Sequence, residues 1–498
     1  MPQITSADEL GLHGLGLDSR VRQAFFSLPP ETIVDLDRQM TAGAIERQLV
    51  YVRDGQPEAI RVLMRPTGAM PDQLAYLHFV SLTIINALKR LPDMYIQDFA
   101  VRSVVPLSPP EEKWLWDAWG PSQRENNPVF GRLDAVIDFT SPMWKDSLHY
   151  MEPNLSGVGG IYLIPACEQL LADVVMPVVQ QYEPGLVLEA GQDLRELFIR
   201  EVHDHLEAIG RAGRTVALIE PKYSGDGPVE QAALAAYYRD RHGLTMVHAD
   251  PAELYLKGGE VWYEDTCVDV GYRDYEVRDL VEIETEGVDV APLRALFKSN
   301  RIISSLAGEF DHKSCWEILT DSQFTQKYFT ADERQAFRRH ILWTRVIGDR
   351  RTTLADGDQA DLLEYIRREQ EVLVIKPNRS YGGDGVLLGP AATAGEWAAA
   401  LQNAVTAAQA GDEQWVVQRL ARIPVSEFPV VGPAGQVSIE PFYTVMGLAP
   451  TKYGIALLGR ASQKQVVNVA QRGGMCGVLV GRHTGRLMGP GAPVRVAA

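Results

Sequence analysis

The chain of 498 residues has only four cysteines, Cys167, Cys267, Cys315 and Cys476, all far apart and none in a CxxC spacing. Neither a disulfide framework nor a cysteine-held metal is expected from them. Basic charge is also short: 48 Lys and Arg stand against 65 Asp and Glu, a net charge of −17. A nucleic-acid binder would show a basic face, so no nucleic-acid partner is expected. Residues 1–15 lack a basic segment leading into an apolar run, so no signal peptide is expected. No uninterrupted apolar run approaches the roughly 20 residues needed to cross a bilayer. No membrane partner is therefore expected, and a reducing, cytoplasmic setting fits. There is no internal repeat, no GxxxxGK[ST] phosphate loop and no GxGxxG fingerprint. What remains is an ordinary globular composition, 46% apolar and 23% charged, enough for a large core divided among several packed units.

Five stretches differ in character. Residues 1–125 read as mostly helical, with helix starts at Ser27-Leu28-Pro29-Pro30-Glu31-Thr32, at Pro71-Asp72 and at Ser108-Pro109-Pro110-Glu111-Glu112. Residues 126–212 open with the alternating strand pattern Leu133-Asp134-Ala135-Val136-Ile137-Asp138-Phe139. A second strand follows at His149-Tyr150-Met151-Glu152-Pro153, then an apolar helix over 159–181. Residues 213–299 read strand, alanine-rich helix, strand, strand, which predicts a parallel α/β unit with a right-handed crossover. Residues 300–485 begin with helix and turn. The capping box Thr330-Ala331-Asp332-Glu333 then opens a helix expected to reach about Val346. A glycine-bearing hairpin over 372–388, a helix over 394–408, a strand over 415–420 and further antiparallel strands complete that stretch. Residues 486–498 are rich in Gly and Pro and are expected to be loose. The fold class is α/β with α+β elements.

The hairpin carries the most chemistry. Leu373-Val374-Ile375-Lys376-Pro377 is an apolar strand ending in a lysine; Asn378-Arg379-Ser380-Tyr381 and then Gly382, Gly383 and Gly385 lead into a second apolar run. Glycines let backbone N–H groups approach an anion, and the lysine adds a point charge for phosphate. An ordinary hairpin with a glycine turn accounts for Gly382 and Gly383, but not for the lysine and proline ending the apolar run. Arg132 and Asp134 are two apart on a strand and share a face, as do Glu152 and Asn154. If the two strands are neighbours, Asp134, Glu152 and Asn154 converge as hard oxygen ligands suited to Mg²⁺, with Arg132 beside them to neutralise a developing anion. The alternative is a surface hairpin whose alternate polar residues face water. In Ser305-Leu306-Ala307-Gly308-Glu309-Phe310-Asp311-His312-Lys313-Ser314, Ser305 or Asp311 could cap a helix with Lys313 in its first turn, where an anion would relieve the dipole conflict. His203 and His205 are two apart on a helix, do not share a face and are expected to be solvated. Ser224-Gly225-Asp226-Gly227 reads as a strand–helix connection. Tyr272-Arg273-Asp274-Tyr275-Glu276 follows a buried strand and either faces a ligand or is a solvated loop. Arg472-Gly473-Gly474 is a second glycine loop or a hairpin turn.

Together these segments resemble the ATP-grasp superfamily, in particular its circularly permuted branch, which includes eukaryotic glutathione synthetase and bacterial glutathionylspermidine synthetase. The likeness spans roughly residues 130–480 and rests on motif order, with Glu152-x-Asn154 first, then Lys313, then Lys376 with its glycines. The resemblance implies Mg²⁺ on Asp134, Glu152 and Asn154, a transition-state role for Arg132, and ATP phosphates on Lys313 and Lys376. It implies a lid at Gly382, Gly383 and Gly385, and a nucleotide hinge at Gln418, Arg419 and Leu420. Substrate contacts would come from Ser156, Tyr272, Arg273, Gly473 and Gly474, with Arg472 as a catalytic arginine. Two positions depart from the branch: Gly389-Pro390 stands where a metal-binding glutamate closes the lid hairpin, and Gln418 where an acidic residue is frequent. No amidase domain precedes the ligase part. The implied activity is ATP-dependent ligation of a small carboxylate to an amine through an acyl phosphate, on a possible homodimer. The alternatives are a phosphotransferase of the same fold and a degenerate ATP-binding protein.

Overall fold

A computed structural model of the chain describes residues 3–223, 227–381, 383, 385–411, 413–465, 467 and 473–482. The 224–226 part of the Ser224–Gly227 connection, Gly382, Arg472 and the 486–498 tail lie outside the described residues.

The centre is a six-stranded antiparallel sheet. Its order runs Gly474–Met475, Gly454–Ser462, Val437–Thr451, Arg132–Val136 and His149–Asn154, with Val425–Val431 also paired to the long strand Val437–Thr451. Two strands from near residues 132–154 thus join a sheet otherwise built from residues 425–475. The expected pairing of the first two strands is present, with Arg132 opposite Asn154 and Asp134 opposite Glu152. The strand Gly454–Ser462 is buried along its whole length. Such a strand packs apolar side chains on both faces, each worth about 1.5–3 kcal/mol when fully buried.

A second sheet has four strands, all parallel, in the order Ile302–Ile303, Val270–Arg273, Thr215–Ile219 and Thr245–Ala249. This is the parallel α/β unit expected from the strand–helix–strand spacing, with the helix Gln231–His242 as its crossover. Gly271 lies where a Cβ would come within 2.7 Å of Ile219 and Ile302 Cδ1 atoms, so the close packing of this sheet needs glycine there. A small meander, Leu254–Lys257, Glu260–Tyr263 and Thr266–Cys267, was not expected from the sequence.

A third sheet, of four antiparallel strands, runs Thr344–Val346, Trp415–Arg419, Leu373–Pro377 and Leu387–Leu388. It has an apolar core of its own, in which Trp343, Leu362, Ile366, Leu373, Ile375, Trp397 and Leu401 pack together. The helix opened by the Thr330 capping box ends at His340, and residues 344–346 are a strand rather than its last turn. Arg338, Arg339 and His340 fill the final turn, where positive charge meets the carbonyl end of the helix dipole. A smaller sheet ties Thr67–Ala69 to Val478–Arg482 and Val187–Ala190.

One helical stretch, Leu163–Tyr182, does reach the length and apolarity of a membrane span, although no uninterrupted run was evident in the sequence; 61% of its window is buried against the rest of the protein. It serves as a core helix, and Cys167, Leu170, Leu171, Val175 and Val179 are fully enclosed.

Candidate active site

A cavity of about 290 Å³ opens between the central sheet and the lid-bearing sheet. The strand Arg132–Val136 brings Arg132 and Asp134 to it, and the neighbouring strand brings Met151, Glu152 and Asn154. Lys313 enters from the segment before the helix Cys315–Thr320, and Lys376, Ser380, Tyr381 and Gly383 come from the lid hairpin. Gln418, Leu420, Ala421 and Ile423 form the end near the strand Trp415–Arg419. With Arg460 from the strand Gly454–Ser462 also in the lining, segments more than three hundred residues apart in sequence share one wall.

The electrostatics are dense. Arg132 Nε lies 3.3 Å from one Asp134 oxygen, and Arg460 Nη2 lies 2.7 Å from the other. Burial works against its charge, but Arg460 and Arg132 hold the Asp134 carboxylate below its ordinary value. Among the described residues Arg460 Nε finds no acceptor, although the residue is buried in the cavity wall. Lys313 Nζ donates to the Ser380 carbonyl at 2.6 Å and stands 3.7 Å from Glu152. Lys376 Nζ donates to Gln418 Oε1 at 2.9 Å, and Gln418 Nε2 donates to Met151 O and Thr344 Oγ1. Burial lowers the Lys376 ammonium from its ordinary value, with Glu152 pulling the other way. Asn154 uses its amide N–H on Arg132 O at 3.4 Å, which leaves its carbonyl oxygen open to a cation.

Of the residues expected at the site, Arg132, Asp134, Glu152, Asn154, Lys313, Lys376, Gly383, Gln418 and Leu420 all line this cavity. Lys313 arrives by a different route from the one expected. It precedes the helix rather than sitting in its first turn, and Ser305 caps the short 3-10 turn Leu306–Phe310 instead. What holds Lys313 in place is the lid root: its N–H donates to Asn378 O at 3.1 Å. Gly385 lies just behind the wall at φ +70°, with Pro377 Cγ 2.7 Å from where a Cβ would be. Arg419 faces away from the cavity and is exposed, as the alternation between Gln418 and Leu420 requires.

A second cavity, of about 430 Å³, lies beyond the carboxyl ends of the parallel strands. Its wall includes Val158 and Gly159, from the loop after Asn154, together with Glu220, Lys222, Glu230, Gln231, His248, Tyr272 and Asp274. Asp274 is open to solvent through the mouth of the cleft, enclosed elsewhere, and among the described residues its carboxylate has no hydrogen-bond or ion-pair partner. Burial, together with Glu220 and Glu230, pushes its carboxyl up to about 6. Glu230 accepts from the backbone N–H groups of Gly160, Tyr162 and Leu163. Lys222 is already held by Glu253 at 3.1 Å. Arg132 stands between the two cavities: it lines the first, and its Nη1 donates to Gly159 O, on the wall of the second, at 3.1 Å.

Tyr272 reaches this second cavity, and its hydroxyl donates to Val158 O and accepts from Val158 N. Arg273 does not reach either cavity. It is fully buried, donates to the carbonyls of Ser304, Tyr275 and Ser305, and pairs with Glu309, so its whole fork is spent on structure. Ser156 lines neither cavity. Gly473 and Gly474 are buried at the edge of the central sheet, where Gly474 pairs with Ala461, and they also line neither cavity. His205, expected to be solvated, is buried against Asn300 O at 2.7 Å; His203 is the exposed one.

Sequence reasoning missed Arg460 as a wall residue, and it singled out neither Tyr381 nor Asp274 within the segments it named. For Arg460 the signal was present, since a lone arginine interrupts the apolar run Gly454–Ser462. A charge inside a fully buried strand needs a partner or a ligand. Among the described residues no three His, Cys, Asp or Glu side chains cluster as a metal-holding group.

No family model and no curated protein matches the sequence. Among solved structures, the chain is similar to a glutathione synthetase-like effector from Globodera pallida in its apo form, at 11% identity, covering 91% of this chain and 98% of that one, with a TM-score of 0.59. The mixed α/β architecture described above is a glutathione synthetase-like fold.

Proposed function

We propose that this chain is an ATP-dependent carboxylate–amine ligase built on a circularly permuted ATP-grasp arrangement. The observation that supports it is the gathering of Arg132, Lys313, Lys376 and Arg460 with Asp134, Glu152 and Asn154 in one cavity beside the glycine hairpin. Four cations against two carboxylates suit a polyanion, and Met151, Val374, Val386, Leu388, Leu420 and Ile423 give its other end an apolar slot for a purine.

The donor set fits Mg²⁺: Glu152 offers a carboxylate, Asn154 an unspent carbonyl, and Asp134 a second carboxylate already flanked by arginines. Held by Glu152, Asn154 and Asp134, the ion would supply electrostatic stabilisation of the negative charge that builds during transfer. Lys313 and Lys376 would bind the phosphates. The acid's carboxylate oxygen attacks the γ-phosphorus, the bond to the β-phosphate oxygen breaks, and ADP leaves. The amine nitrogen then attacks the acyl carbon, phosphate departs, and the nitrogen loses its extra proton. Arg132 faces the developing oxyanion, and Arg460, with its open Nε, is available to an anionic group of the acid. The hairpin keeps water from the acyl phosphate.

The second cavity suits the amine. Its carboxylates outnumber its one lysine, that lysine is already paired, and the Asp274 carboxylate has no partner among the described residues. An ammonium held there would sit on the far side of Arg132 from the phosphates.

Purified protein given ATP, Mg²⁺ and a matrix of carboxylic acids and amines should release ADP and phosphate only when both an acid and an amine are present. A stable phosphorylated product without amide would establish a phosphotransferase. ATP binding with no ADP release across the matrix would establish a nucleotide-binding protein.

A further inference from the structure

The lid hairpin is fastened by the residues just before its glycines. Asn378 accepts from Ser314 N at 2.8 Å and donates to Ser314 Oγ at 3.0 Å. Arg379 Nη2 reaches between two buried carboxylates, 2.6 Å from Glu276 and 2.7 Å from Glu111. The Ser380 carbonyl takes the Lys313 ammonium. The Tyr381 hydroxyl donates to the other oxygen of Glu276, while its ring forms part of the first cavity's wall, 5.9 Å from Lys313 Nζ.

Glu276 is the point these contacts share. It is 5% exposed and occupies the N-cap position of the helix Val277–Thr285. It lies two residues past Asp274, on the loop that leaves the parallel strand Val270–Arg273. Tyr381, by contrast, is 45% exposed, so little packing fixes it and its hydroxyl bond does the fixing.

We propose that Glu276 is a positioning residue for the nucleotide lid, binding the hairpin root to the loop of the parallel sheet through Arg379 and Tyr381. The link to the nucleotide rests on the ligase function proposed above. The fastening itself is a property of the free protein. A buried carboxylate facing Arg379, Arg278 and a tyrosine holds them most strongly when ionised. The charged and titratable groups around it are Arg379 and Tyr381 from the lid, Glu111 from the helix Pro109–Ala118, and Arg278 and Asp279 from its own helix. Glu309, Asp311, His312 and Lys313 come from the segment before Cys315. Burial pushes the Glu276 carboxyl up to about 7 against the pull of Arg379 and Arg278, so the fastening weakens as pH falls through neutrality.

Hydrogen exchange in the free protein tests this. In Glu276→Gln and in Tyr381→Phe, amides 379–388 should exchange about five- to tenfold faster than in wild type, with the parallel sheet unchanged. Corrected for intrinsic rates, wild-type protection over 379–388 should fall between pH 8 and pH 6, and Glu276→Gln should show no such fall. If Glu276→Gln does not fold, Tyr381→Phe carries the same readout. Unchanged exchange in the folded variants overturns the proposal. Equal pH dependence in wild type and Glu276→Gln overturns it as well. Binding of MgATP, measured in parallel, separates the two questions. Faster exchange in the variants, together with a wild type that binds no MgATP, refutes the ligase while supporting the fastening. A several-fold loss of MgATP affinity in both variants supports the two together.

Discussion

The two cavities meet at Arg132 and carry opposite charge. The first collects Arg132, Lys313, Lys376 and Arg460 around Asp134 and Glu152; the second collects Glu220, Glu230 and Asp274 around an already paired Lys222. The whole chain is strongly acidic, at −17, yet the first cavity gathers four cationic side chains against two carboxylates. Net charge bounds what the surface attracts at long range, whereas ligand choice is made by the few groups enclosed together, where the effective dielectric is low. The contrast also accounts for the direction of the pKa shifts. Opposite charges in the first cavity hold Asp134 down against its burial, whereas in the second burial pushes Asp274 up and the like charges of Glu220 and Glu230 add to it.

This contrast can be broken from either side. Glu152→Gln should have the largest effect, because it removes a metal-side carboxylate without changing shape. Turnover should fall by at least about 100-fold while the melting temperature stays within a few degrees. Full activity in that variant would remove Glu152 from the chemistry. Lys376→Ala comes next: loss of a charged phosphate contact should weaken MgATP binding by roughly 10- to 100-fold, read by calorimetry. Unchanged affinity would detach the lid hairpin from the nucleotide. Asp274→Asn should leave MgATP affinity unaltered and raise the amine KM by about tenfold. In wild type the amine KM should also rise as pH falls below about 6, because the carboxyl held up by burial and its two glutamate neighbours becomes protonated there. A flat profile, or equal use of neutral and cationic nucleophiles by wild type and variant, would show that the second cavity is not selecting a cation.

The parts of the site legible in the sequence were those written in strand alternation and glycine spacing. Arg132-x-Asp134 and Glu152-x-Asn154 faced one another as expected, because a period of two leaves little choice once the strands pair. The hairpin around Lys376 was legible because an apolar run, a proline and clustered glycines leave few other structures. Lys313 was expected to be held by a helix, but its place is set by Asn378 and Ser380, more than sixty residues away, which no local pattern records. Arg273 was misjudged for a similar reason. An arginine at a strand end reads as ligand-facing until its three carbonyl partners and Glu309 are known. Thr344-Arg345-Val346 carries too little pattern to mark the end of the preceding helix, and only pairing with Trp415–Arg419 makes it a strand.

The stretch from Glu152 to Ile161 contributes to both chambers, with Glu152 and Asn154 in one and Val158, Gly159 and Ile161 in the other. Midway along it Gly157 turns at φ +66°, where a Cβ would collide with Asp274. This short piece of backbone works as a ruler, setting how far apart the two chambers lie. Inserting or deleting one residue would put both halves out of step at once. Divergence toward new substrates is therefore expected in the side chains at either end of this ruler, with its length kept fixed.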